Sequence, residues 1–139
     1  MIEKKIVLKK CLEILSEKLS EIRAALADLK ESVENEDKST AGDKHDTARA
    51  MIHLEQEKLA KQLNSIEEEL NNAKRILSNS AFSTVQFGSL VETDLRQYLI
   101  GPALGVVKTE NASFVAMSPA APLAQQMLGK RVGDLVEFN

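Results

Sequence analysis

Residues 8–33 read LKKCLEILSEKLSEIRAALADLKESV, and residues 52–77 read IHLEQEKLAKQLNSIEEELNNAKRIL. In the first stretch Leu8 and Leu12 lead into Leu15, Leu19, Ile22, Leu26, Leu29 and Val33, with spacings that alternate three and four from Leu12 onward. The second runs through Ile52, Gln56, Leu59, Leu63, Ile66, Leu70, Ala73 and Leu77, again alternating four and three. Charged residues fill most positions between them. A narrow apolar stripe in otherwise charged sequence predicts two helices packed along one seam.

If the two helices fold back on each other, facing layers must share one residue-number sum. Val33 with Ile52, Leu26 with Leu59, Ile22 with Leu63, Leu15 with Leu70 and Leu8 with Leu77 all add to 85, which puts the centre between Gly42 and Asp43. Two heptads always admit some reflection, so the local turn chemistry selects the centre. Ser39-Thr40-Ala41-Gly42-Asp43 holds the one glycine of this half together with several capping residues. The alternative is one continuous helix through residue 42 that dimerises as a parallel coiled coil. Glycine and the run Asn35-Glu36-Asp37-Lys38-Ser39-Thr40 make poor helix interior, which favours the hairpin. Each arm of roughly 33 residues then reaches about 50 Å at the rise of an α-helix.

Composition shifts near Asn79. All three prolines and five of the six glycines follow it, and charge thins out. We divide the chain into a hairpin over 1–79, with its tip near 37–46, and a small β-rich domain over 80–139. In the second part Thr84–Val91, Leu95–Ile100, Gly105–Val107, Ser113–Met117 and Leu135–Phe138 have strand character. Pro122 suits the first turn of a short helix over Leu123–Leu128 that Gly129 stops, and Val132-Gly133-Asp134 reads as a turn. About 60 residues make a marginal core alone, so this domain is expected to lean on the helices near Leu8 and Leu77. Phe82, Phe87, Tyr98, Phe114 and Phe138 are expected to fill it. The fold class is α+β.

Hydrophobic residues make up 43% of the 139-residue chain, but aromatics only 4%, with no Trp. That suits Leu-rich helix packing better than a deep aromatic ligand pocket. A net charge of -3 argues against a stand-alone nucleic-acid binder. Cys11 is the only cysteine, so no internal disulfide forms. Lys4, Lys5, Lys9 and Lys10 interrupt the N-terminal segment and leave no signal-peptide or membrane-spanning run, so a cytoplasmic location is expected. The four lysines read as a solvated face. His45 and His53 have no Cys or His partner at ligand spacing, which argues against zinc.

The tip carries Glu34, Glu36, Asp37, Asp43 and Asp46. Asp43 and Asp46 are spaced i, i+3, which on a helix sets their Cβ atoms about 5–6 Å apart on one face. Such a pair can share one divalent cation and leave its other positions to water, as Mg²⁺ prefers. The same pair is what ordinary helix capping produces, because Asp is a favoured N-cap and acids complement the helix dipole. Spacing by itself favours the cap.

Two segments carry a family resemblance. Gly42-Asp43-Lys44-His45-Asp46-Thr47-Ala48 resembles the tip motif of the bacterial Gre transcript-cleavage factors. Ser118-Pro119, a short helix, then Leu128-Gly129-Lys130-Arg131-Val132-Gly133-Asp134-Leu135-Val136 resembles their C-terminal segment. The resemblance implies an N-terminal antiparallel coiled coil and an FKBP-like C-terminal domain with one short helix. It implies that the chain is no enzyme itself but an accessory factor of RNA polymerase. The C-terminal domain would dock at the rim of the secondary channel, with Ser118, Pro119, Gly129, Lys130, Gly133 and Asp134 marking the contact region. The hairpin would enter the channel, touching nucleic acid only at the RNA 3′ end. Asp43 and Asp46 would act there as the catalytic acids, holding a Mg²⁺ shared with the polymerase, so that the polymerase cuts its own backtracked transcript. No cofactor is implied for the free protein, no membrane contact is implied, and a monomer is expected.

The sequence departs from the family in three places. Asp46 stands where Glu is usual. Arg49-Ala50 stands where the family has an acid and an aromatic. The family also continues into further strands beyond the position of Asn139, which implies an abbreviated domain. A channel-binding regulator without cleavage activity, and a homodimerising coiled-coil scaffold, are the alternatives.

Overall fold

The computed structural model describes residues 1–37 and 42–138, with the side chains of 36–46 outside the description. Two long helices come first, α1 (Lys4–Asp37) and α2 (Gly42–Lys74). Strands β1 (Leu90–Glu92), β2 (Gln97–Ile100), β3 (Gly105–Lys108) and β4 (Ser113–Met117) follow, and α3 (Pro122–Met127) comes last. The chain is mixed α+β, as its two kinds of sequence predict. None of the helices is long and apolar enough to cross a membrane among the described residues. The residues form two compact units, one of Leu15–Glu68 and one that joins Met1–Ile14 to Glu69–Asn139.

Except at Leu77, the two heptads match the burial. Leu8, Leu15 and Leu19 of α1 are buried, and Leu12, Ile22, Leu26, Leu29 and Val33 are partly so. In α2, Leu70 and Ala73 are buried, and Ile52, Gln56, Leu59, Leu63 and Ile66 are partly so. Within the unit Leu15–Glu68 the helices meet side by side. Arg23 Nη2 lies 3.5 Å from Glu67 Oε1, and Lys18 and Ile22 line a shallow depression with Gln62 and Ile66. The Arg23–Glu67 pair is exposed on both sides, so its contribution to stability is small.

Leu77 departs from the seam and is 64% exposed, while Ile76 is buried in its place. The end of α2 explains the exchange. Ile76 N–H donates to Ala73 O at 3.2 Å, and Arg75 N–H is shared between Asn71 O and Asn72 O. These bonds to the residue three back tighten the last turn and rotate the chain out of heptad phase.

The other unit is a layered core. The sheet runs β1-β2-β4-β3. β1 pairs antiparallel with β2, β2 parallel with β4, and β3 antiparallel with β4. Side chains alternate faces along each strand. Leu90, Leu99, Val107, Phe114 and Ala116 turn to one side and pack with Val7, Leu8 and Cys11 of α1 and with Ile76. Val91, Tyr98, Ile100, Val115 and Met117 turn to the other and pack with Leu123, Ala124 and Met127 of α3. The expected support near Leu8 is present, with Ile76 doing what Leu77 was expected to do.

Buried Gln97 ties the N-terminus to this core. Its Oε1 accepts from Ile2 N–H at 2.8 Å and its Nε2 donates to Ile2 O at 2.9 Å, so both ends of the amide are satisfied. Lys4 is likewise not the solvated lysine expected. Its Nζ donates to Ser80 O and Ser80 Oγ at 3.1 and 3.0 Å, and sits 5.2 Å from the ring centre of Phe82. Partial burial holds its pKa below the ordinary lysine value.

Three further expectations are corrected. Thr84–Val91 is not one strand, since only Leu90–Glu92 is. Gln86 N–H donates to Ser89 Oγ at 2.9 Å and Ser89 N–H to Gln86 O at 2.9 Å, so a side chain closes a turn where the strand was expected. The segment Leu135–Phe138 is not a strand either. Leu135 is 79% exposed and Phe138 53%. Of the five aromatics only Phe114 is fully buried. Phe82 and Phe138 are exposed, and Phe87 and Tyr98 pack against the two core clusters.

Cys11 makes a testable point about this core. It is fully buried, and burial pushes its thiol up to about 11 from an ordinary value of 9.0. Below pH 9 the thiol is neutral whether the chain is folded or not. Above it the unfolded chain ionises first, so stability is expected to fall between the two values, by up to about 1.4 kcal/mol per pH unit. Denaturant unfolding at pH 8 and pH 10 checks this. Wild type should lose more stability over that interval than Cys11→Ala, and identical losses would refute it.

Candidate functional site

The sequence singles out two places, and they belong to different units. The first is the tip. Asp43 and Asp46 are the second and fifth residues of α2, which begins at Gly42. Their side chains, and the turn over 38–41, lie outside the described residues. Among the described residues no group of three or more His, Cys, Asp or Glu converges as a metal site. The next turns of α2 carry a feature the heptad did not absorb. Met51 and Leu54 are each 66% exposed. Both stand outside the seam positions, and that is the signal by which the sequence could have marked them. His53 is exposed, with Nδ1 3.0 Å from Gln56 Oε1.

The second place is the run from Ser118 to Asp134, where backbone bonds account for most of the motif. Ser118 Oγ accepts from Ala120 N–H at 3.0 Å, and Ser118 O accepts from Ala121 N–H at 3.0 Å. Pro119 O accepts from Gln125 Nε2. These bonds shape the turn that delivers Pro122 to the start of α3, where its missing N–H costs nothing. After α3 the chain needs two residues at positive φ, Gly129 at 81° and Gly133 at 94°. No atom lies within 4 Å of a Cβ built on either, so backbone conformation rather than space selects glycine there.

Gly129 N–H donates to Val85 O, and Val85 N–H donates to Lys130 O, each at 2.9 Å. Asp134 closes the next turn. Its Oδ2 accepts from Arg131 N–H at 2.8 Å, and its own N–H donates to Arg131 O at 3.0 Å. The expected partner-binding residues therefore divide by role. Ser118, Pro119, Gly129, Gly133 and Asp134 shape the loop, and the side chain of Lys130 stands in solvent beside that of Arg131.

Between this loop and the sheet lies a groove of about 790 Å³. β1 and the residues after it, Thr93 to Leu95, line one part of it, and Arg131, Val132 and Leu135 line another. Val132 and Leu95 are among the most exposed apolar side chains of the chain. The groove holds both charge signs beside apolar side chains.

Comparison with protein-family models, with characterised proteins and with solved structures gives no match to this chain.

Proposed function

We propose that this protein is an RNA polymerase accessory factor whose helical tip enters the secondary channel and stimulates cleavage of backtracked RNA. In this reading α1 and α2 form an antiparallel coiled-coil hairpin with the register of sum 85. The small sheet with α3 is an FKBP-like domain that docks at the channel rim through the Ser118–Asp134 region. The observation that carries the reading is the pairing of two motifs with two structural contexts. The acid motif Asp43–Asp46 falls within the first five residues of a 33-residue helix. The Ser-Pro and Gly-Asp motif falls on a short helix and a pair of tight turns. Seam burial along both long helices supports the hairpin, and so does the Arg23–Glu67 contact.

The chemistry is that of two-metal phosphodiester cleavage. One Mg²⁺ belongs to the polymerase, and carboxylates brought by the factor recruit a second and orient the attacking water. The free protein needs no cofactor for this. A second reading keeps channel binding and drops cleavage, and Arg49-Ala50 favours it, because a cation and a methyl stand where the family carries an acid and an aromatic.

One experiment separates the readings. Stalled elongation complexes with 3′-end-labelled backtracked RNA are incubated with Mg²⁺ and the protein. Short 3′ fragments are expected with wild type and not with the Asp43→Ala, Asp46→Ala double variant. Polymerase binding without fragments establishes the second reading. No binding at all removes both and leaves the coiled-coil scaffold.

A further inference from the structure

Continued one step toward the tip, the seam series Ile52, Gln56, Leu59 reaches Arg49, because the next spacing is three. The burial agrees with that position. Ala48 and Arg49 are partly buried between exposed Thr47 and exposed Ala50, and the Nε of Arg49 is shielded from solvent. A long basic side chain reaches such a place by laying its apolar stem along the seam and carrying its charge at the end. Side chains on a helix lean toward its N-terminus, and α2 begins at Gly42, in the tip. The charge of Arg49 is thus carried toward the turn that holds Asp46.

Spacing singles out this pair. Asp46 and Arg49 stand at i, i+3 on α2, which sets Cβ atoms about 5–6 Å apart on one face. Lys44 is one residue from Asp43 and two from Asp46, and side chains at those spacings do not face each other. Arg49 is therefore the base of α2 placed to act on Asp46.

We infer that Arg49 is a specificity-determining residue of the tip, whose guanidinium offsets part of the charge that Asp46 offers to Mg²⁺ and so raises the Mg²⁺ needed for cleavage. The inference rests on the polymerase reading above. A fixed cation and Mg²⁺ repel each other and draw on the same carboxylate. At about 6–8 Å in a water-like medium, one positive charge lowers the affinity of a divalent cation roughly three- to tenfold. Arg49 is held along the seam rather than free in solvent, so its charge stays at that range. Cleavage and mere channel binding then become two ends of one Mg²⁺ titration.

The test is the transcript-cleavage rate of the full chain on stalled complexes across that titration. Arg49→Gln keeps a long polar side chain and removes the charge. It should lower the half-saturating Mg²⁺ by roughly three- to tenfold, and Arg49→Glu should lower it further. Arg49→Lys keeps the charge and should stay close to wild type. Added KCl should shrink the gap between wild type and Arg49→Gln, because salt screens the repulsion. A merely structural role of Arg49 would give no such salt response. If circular dichroism shows that Arg49→Gln loses its helices, the comparison of Arg49→Glu with Arg49→Lys decides the matter. Equal half-saturating Mg²⁺ for wild type and the charge-removing variants overturns the inference. The cleavage reading still stands in that case if the Asp43→Ala, Asp46→Ala double variant is inactive. A lower maximal rate at unchanged half-saturating Mg²⁺ would assign Arg49 to contact with RNA or polymerase, and overturns the inference too. If no variant yields fragments at any Mg²⁺, or the double variant cleaves like wild type, the cleavage reading fails and the inference falls with it.

Discussion

Phe114→Ala is expected to destabilise the unit that contains the sheet by about 3–5 kcal/mol. Phe114 is fully buried at the centre of the sheet, on the strand flanked by β2 and β3. Its ring faces Val7, Leu8 and Cys11 of α1, so the cavity opens where helix and sheet meet. A small domain has a net stability of only about 5–15 kcal/mol, so the loss removes a large share of it. Tyr98 is the one tyrosine and there is no Trp, and Tyr98 packs in the cluster beneath α3. Its emission during urea unfolding therefore follows this unit. Leu95→Ala is the matched control. Leu95 is 83% exposed, and its truncation should stay within about 0.5 kcal/mol. A Phe114→Ala midpoint close to that of the Leu95→Ala protein would mean that the ring is not the keystone of this core.

The parts of this fold that the sequence reveals are those set by a repeating local rule. The heptads mark the seam because each period contributes the same burial signal, repeated along both long helices. The rule fails at Leu77, where the helix tightens and the phase is lost. The strand expected over Thr84–Val91 fails for a different reason. Ser89 offers its hydroxyl to Gln86 N–H, and that local bond competes with extension. Nor does composition reveal which aromatics are inside. Phe82 is placed by Lys4, and Gln97 by Ile2, partners far away in the sequence that no window contains. The Gly129–Asp134 loop was legible as a motif, because positive-φ glycines and a turn-closing Asp have few substitutes. The groove beside it was not, because β1, which lines it, is much shorter than its sequence suggests.

Neutralising the tip acids one at a time separates capping from metal recruitment, and the expected result is a Mg²⁺-dependent defect. α2 begins at Gly42, so Asp43 and Asp46 are its second and fifth residues and act on the helix through their charge, while Asp43→Asn and Asp46→Asn keep the shape of each side chain. What they remove is charge. Mg²⁺ binds hard anionic oxygens and is held through one or two carboxylates with water in its remaining positions, so an amide is a poor replacement. If the pair recruits the polymerase's second cation, each single variant should slow transcript cleavage by about 10²-fold at limiting Mg²⁺. Raising Mg²⁺ should recover much of the rate, because mass action replaces the lost affinity. Pure capping predicts the opposite pattern. Asp→Asn and Asp→Ala would then each cost about 0.3–1 kcal/mol of helix stability, and neither would give a cleavage defect that depends on Mg²⁺. The measurement is the cleavage rate across a Mg²⁺ titration, with helix content followed by circular dichroism for each variant. Wild-type rates for both Asn variants at limiting Mg²⁺ would remove Asp43 and Asp46 from the chemistry, and with them the cleavage half of the proposed function.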